Sequence, residues 1–258
     1  MSRPGIVLSV AKRLDDILNE REALTGLRGL QRFQPIDYLA DAAKRMGGVG
    51  EDSALVIAPP RQTREIGEWY AKAPELDLSP RTKAVYNMMA DETGRQFDFL
   101  TSPVSKGGLG VEVSVTDVDP YAVHTKEGLD KLINDLQNRR LSALSTKATG
   151  GHPLFTNDQN DQFRLVHDAF GHGATGRGFD AHGEEAAYRS HALMYPENAR
   201  QALASETRAQ NAFVNRFGRF SDQKLVLLPE DMSAINTYDV PEEIRQIIIL
   251  NALNRMFP

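Results

Sequence analysis

His167 and His172 stand five residues apart in His-Asp-Ala-Phe-Gly-His, within a stretch from His152 to His191 that holds five of the chain's six histidines. Carboxylates follow closely at Glu184, Glu185 and Glu206. Imidazole nitrogens combined with carboxylate oxygens suit divalent iron, manganese or zinc, so this cluster is the candidate functional site. Phe163, Val166, His167 and Phe170 recur at helical spacing, which puts His167 on an inward face. His172 then lies about 140° further around an ideal helix, so the two rings converge only if the helix ends between them. Gly171 is expected to supply that end by taking the left-handed conformation.

Glu206 is the expected third metal ligand. A helix expected over residues 196–217, with Pro196 at its start and Gly218 just past its end, places Glu206 in a stripe with Ala199, Leu203, Gln210, Phe213 and Phe217. A buried carboxylate is costly unless it is paired or bound to a cation. Pairing with Arg200 or Arg208 is the plainer alternative. A further helix beginning near Gly183 puts Glu184, Ala187, Tyr188 and His191 on one face. Glu184 and His191 could orient the ligands from outside, or bind a second metal. Glu184 and Glu185 are also candidate general bases, although Glu185 lies four residues before Arg189, the spacing of an exposed ion pair. Asp168 follows Arg164 by four residues and reads as a helical ion pair or as a carboxylate supporting the site. Arg177, Arg189 and Arg208 could grip an anionic substrate or simply be solvated.

The elements that must position these groups are mostly helical. Amphipathic helices are expected over residues 7–24, 37–45, 63–72, 126–139 and 241–256. Ser79 before Pro80 is a strong start signal for another, running toward Phe99. Val111, Val113 and Val115 alternate with polar residues and read as one strand after the glycine-rich loop at 105–110. The chain divides into an N-terminal helical extension, 1–78, and a helical metal-binding catalytic domain, 79–258. Gly171-His-Gly173-Ala-Thr-Gly176 matches a dinucleotide fingerprint in letters, but it follows a helix rather than a strand.

Composition excludes several chemistries. The 258-residue chain has no cysteine, so thiolate metal sites, iron–sulfur clusters, disulfides and cysteine nucleophiles are ruled out. Thirty basic against 35 acidic residues give a net charge of −5, which does not indicate a broad nucleic-acid grip. Apolar content of 41% is ordinary for a globular protein, and no run is long enough to cross a bilayer. The expectation is a cytoplasmic, soluble protein.

The segment His167-xxx-Gly171-His172, with a carboxylate on a later helix, resembles the iron site of the aromatic amino acid hydroxylases over roughly residues 160–217. The resemblance implies a mostly helical catalytic fold, ligand roles for His167, His172 and Glu206, and hydroxylation using O₂ and a tetrahydropterin. Gly173-Ala174 stand where that family has valine and proline. The stretch from Phe163 to His172, with Glu206-Thr-Arg-Ala-Gln-Asn211, also resembles a group of uncharacterised phage and bacterial proteins, a likeness that implies no activity. The expected function is therefore a non-haem Fe(II) oxygenase acting on an aromatic amino acid or a nucleobase-type small molecule. The alternatives are a zinc or manganese hydrolase, and a phage-type structural or interaction protein whose metal staples helices together.

Overall fold

The computed structural model describes residues 31, 33–48, 58, 60–122 and 125–235. The helices expected over 7–24 and 241–256 lie outside these residues. Helix α1 spans Asp37–Arg45, α2 Pro60–Lys72 and α3 Pro80–Thr101. The start of α3 follows from its sequence: the Ser79 side chain accepts from the Thr82 amide, and Pro80 opens the first turn, where no amide proton is needed.

Strand β1 (Glu112–Thr116) pairs in parallel with β2 (Arg140–Leu144), in register from Glu112 with Arg140 to Thr116 with Leu144. Helix α4 (Lys126–Gln137) makes the crossover between them, as parallel pairing requires. The second strand is absent from the sequence reading, which carried α4 through residue 139. Asn138 caps the helix and Arg139 turns the chain at φ 53°, so residues 140–144 leave as an extended strand with Leu141 and Ala143 buried.

Helix α5 (Asn157–Val166) opens with a capping box between Thr156 and Gln159 and passes directly into a π-helical turn, His167–Gly173. Helix α6 (Ala181–Leu193) follows, its first amides at His182 and Gly183 donating to the Asp180 carboxylate. The helix expected over 196–217 is built in pieces. α7 (Arg200–Ala204), a second π-helical turn (Ser205–Ala209) and α8 (Gln210–Phe217) run consecutively and end at left-handed Gly218. A short α9, Glu230–Ser233, closes the described chain.

Two apolar clusters form the core. One gathers Ile66, Tyr86, Met89, Tyr188, Leu203 and Phe213; the other Leu39, Leu100, Leu132, Leu136, Val166 and Phe170. α5 contributes Phe163 to the first and Val166 to the second, so the histidine-bearing turn is held between them. Ile66 and Tyr70 of α2 belong to the first cluster, with Trp69 and Ala73 packed against it. α2 packs so closely on α8 that a Cβ on Gly67 would lie 2.6 Å from the Ala212 carbonyl oxygen. Lys224 closes the C-terminus of α2, donating to the carbonyls of Tyr70 at 2.8 Å and Ala73 at 2.6 Å. A cation at the carbonyl end of a helix both satisfies orphan acceptors and opposes the helix dipole.

Candidate metal centre

The π-helical turn, rather than a helix end, brings His167 and His172 together. Its i→i+5 bonding widens the helix, so residues five apart come nearly into line. Gly171 does not take the left-handed conformation expected of it; the positive φ falls at Gly176, whose amide donates to the His172 carbonyl at 3.0 Å. Gly171 is needed for space instead. A Cβ there would lie 3.1 Å from the Ala187 methyl and 3.2 Å from the His167 ring. Gly173 likewise admits Leu39 and Leu136, whose side chains would be 2.8 and 3.0 Å from its Cβ.

One ring nitrogen each of His167 and His172 and a Glu184 carboxylate oxygen converge, all within 4.8 Å of one another. Glu184 Oε2 lies 3.9 Å from His167 Nε2 and 3.7 Å from His172 Nε2. Both separations are shorter than two metal–ligand bonds of about 2.1 Å, so one ion can touch each pair. The carboxylate sits in the first turn of α6, where the helix dipole favours negative charge.

The hydrogen bonds around the rings leave the right nitrogens for a metal. His172 is fully buried, and its Nδ1 lies 2.9 Å from the Arg177 carbonyl, an acceptor only. The proton therefore sits on Nδ1, and Nε2 keeps its lone pair. That Nε2 has no hydrogen-bond partner, an exceptional state for a buried polar atom. Burial lowers the His172 pKa, against the opposing pull of Glu184, and so favours the neutral imidazole that metals bind. Phe179 stacks on the His172 ring at 4.1 Å between centroids, and Phe163 flanks His167 at 6.0 Å.

His191, read from the sequence as a group that orients the ligands from outside or binds a second metal, faces His167 ring to ring and is not part of the converging trio. Its Nδ1 is 3.2 Å from His167 Nδ1, and its Nε2 is 2.8 Å from Gln96 Oε1. Burial, then the neighbouring His167 and His172, push its pKa well down.

The structure places Glu206 in a different network. Tyr86 Oη donates to its Oε1 at 2.7 Å; Gln210 and Gln223 donate to its Oε2 at 2.8 and 2.6 Å. His152 Nε2 approaches Oε1 at 3.4 Å, its Nδ1 being taken by the amides of Leu154 and Phe155. Glu206 is buried, as its stripe predicted, but hydrogen bonds satisfy it without an ion or an arginine. Arg208, one of its expected partners, belongs to Glu185.

Glu185 differs from the sequence reading too. Its pair with Arg189, at 2.8 Å, is buried rather than exposed, and Arg208 grips the same carboxylate. Burial raises its pKa, but Arg208 and Arg189 together bring it below the ordinary value, so it remains an anion locked between cations. Both of its carboxylate oxygens are engaged by arginines. The pair was expected on the surface because spacing reports a helix face, whereas α6 is enclosed on nearly every side. Asp168 beside His167 is pushed up to about 7, chiefly by burial and against the charge of His167. Arg164, its expected partner, donates to the Leu144 carbonyl and Thr149 Oγ1 instead. Arg177 is buried at 1% exposure rather than solvated.

Sequence reasoning assigned no role to Gln96, Tyr86, His152 or Gln223. Tyr86 and Gln96 lie on the inward face of α3, a signal available from periodicity, but nothing local links them to groups about a hundred residues away.

Glu184 also lines a shallow cleft, together with Gln62, Thr63, Ile66, Glu185 and Arg208. Among the described residues no helix is long and apolar enough to cross a membrane. No family model, curated protein or solved structure matches the chain.

Proposed function

We propose that this protein is a metal-dependent enzyme in which His167, His172 and Glu184 hold one divalent transition metal, and that it acts as a non-haem iron oxygenase. The observation that carries the reading is the convergence of two imidazole nitrogens and one carboxylate at a partly buried site where the fully buried His172 Nε2 has no hydrogen-bond partner. Two histidines and one carboxylate form the facial donor set of non-haem iron oxygenases and leave further coordination positions open. Iron held there would supply O₂ activation, which none of the chain's own side chains can perform.

The protein's part is orientation and exclusion. The Arg177 carbonyl aims the His172 ring, while Phe179 and Phe163 line the two imidazoles with apolar surface. The substrate class that we propose to test first is a small aromatic amino acid or nucleobase. Glu184 takes the ligand role first assigned to Glu206.

The test is spectroscopic. Protein purified without oxygen and loaded with Fe(II) is expected to bind about one iron and, with nitric oxide as an O₂ surrogate, to give a high-spin iron–nitrosyl signal in electron paramagnetic resonance. Full loading without that signal, together with activity on zinc alone, would overturn the oxygenase and favour a hydrolase. Loading without a signal or any activity would favour a structural metal.

A further inference from the structure

We infer that Gln96, which touches none of the three proposed ligands, selects the ligating nitrogen of His167 through a proton-ordered chain, Gln96–His191–His167. This inference rests on the reading of His167 as a ligand.

The order begins at Gln96, a buried amide on α3. Its Nε2 faces two acceptors, the Met194 carbonyl at 3.4 Å and Glu92 Oε1 at 3.3 Å. Turning the amide over would point its oxygen at both, so Oε1 must face His191. The 2.8 Å contact between Gln96 Oε1 and His191 Nε2 then requires the imidazole proton on Nε2. A neutral His191 is left with a lone pair on Nδ1. His167 Nδ1, 3.2 Å away, must be the donor in that contact. With its proton on Nδ1, His167 presents the Nε2 lone pair toward Glu184 and His172. Each link leaves the next a single polarity.

The same outcome is reached at His172 in one step, through the Arg177 carbonyl. Metal-bound histidines commonly donate their other ring proton to such a partner, and losing it weakens metal affinity about ten- to a hundredfold. What differs at His167 is the relay: the acceptor is another imidazole, whose own polarity is set by an amide on a different helix. Gln96 is therefore a positioning residue. His191 is an intermediary rather than a fourth ligand.

The experiment reads the tautomers directly, by long-range proton–nitrogen correlation NMR of the metal-free full chain with ¹⁵N-labelled histidine. The wild type is expected to show His167 protonated on Nδ1 and His191 on Nε2. Gln96→Leu removes the acceptor, freeing His191 to protonate Nδ1 and forcing His167 toward the Nε2–H form. Zn(II) affinity, measured by chelator competition, should fall about ten- to a hundredfold. His191→Phe should lose the same order, whereas His191→Asn, whose carbonyl can stand in for Nδ1, should restore the His167 tautomer and most of the affinity. Wild-type His167 protonated on Nε2, or unchanged tautomers in folded Gln96→Leu, would overturn the relay. If Gln96→Leu does not fold, the Phe and Asn variants of His191 decide by the same readout. A wild type that binds no metal but shows the expected tautomers would sink the metal reading and leave the proton order standing.

Discussion

The two π-helical turns, His167–Gly173 and Ser205–Ala209, make an instructive pair. Both interrupt long helices inside the core, and both carry groups able to bind metal. At the second turn the Glu206 carboxylate receives Tyr86, Gln210 and Gln223, with His152 close by. At the first, His172 Nε2 is buried with no partner, and the Glu184 oxygen stands 3.7 Å away, too far for a hydrogen bond. One turn is saturated and the other is poised. Leaving a polar atom buried and unmet is destabilising, so the poised turn is where a ligand is expected. Helical irregularity alone does not distinguish them; hydrogen-bond accounting does.

The largest effect should come from removing a donor at the poised turn. His172→Ala and Glu184→Gln are each expected to lower Zn(II) affinity by well over a hundredfold, since loss of an outer partner alone costs about ten- to a hundredfold. Metal content after dialysis reads this directly, and wild-type occupancy in both variants would erase the contrast. Glu206→Gln should do the reverse. Its new amide hydrogens would face Gln210 and Gln223, costing about 2–3 kcal/mol of stability in urea denaturation while metal content holds. Metal loss in that variant would return Glu206 to the site.

Gly171→Ala sharpens the comparison from the backbone side. The added methyl crowds the His167 ring, so metal affinity should fall about tenfold. Stability should fall by at most about 2 kcal/mol, because the helical preference for alanine, about 1 kcal/mol, offsets part of an overpacking cost of about 1–3 kcal/mol. Thermal melts and chelator titration on one preparation separate the two. The smallest effect is expected from Tyr86→Phe, which removes one of several donors to Glu206. Its cost should be about 1–2 kcal/mol, with unchanged metal binding. A larger cost than that of Glu206→Gln would mean that Tyr86 supports something besides this carboxylate.

Local sequence determined a good deal. Asp37–Arg45 was legible as a helix from its periodicity, Ser79-Pro80 marked the start of α3, and Gly218 the end of α8, because capping and helical facing are properties of neighbouring residues. The histidine pair was legible for the same reason. β2 was not, because Arg140–Leu144 depends on a left-handed turn at Arg139 and on pairing with a strand 28 residues earlier. Nor could periodicity show a π-turn, whose extra residue registers only as a shift of face.

Tertiary structure alone decided which carboxylate belongs to which histidine. Glu184 and Glu206 both lie on helix faces that turn inward, and sequence spacing treats them alike. α6 packs its first turn against His167 and His172, whereas the turn carrying Glu206 meets Tyr86 from α3 and His152 and Gln223 from loops. A period of 3.6 residues says that a side chain points into the core. It carries no information about which partner, brought from far along the chain, is waiting there.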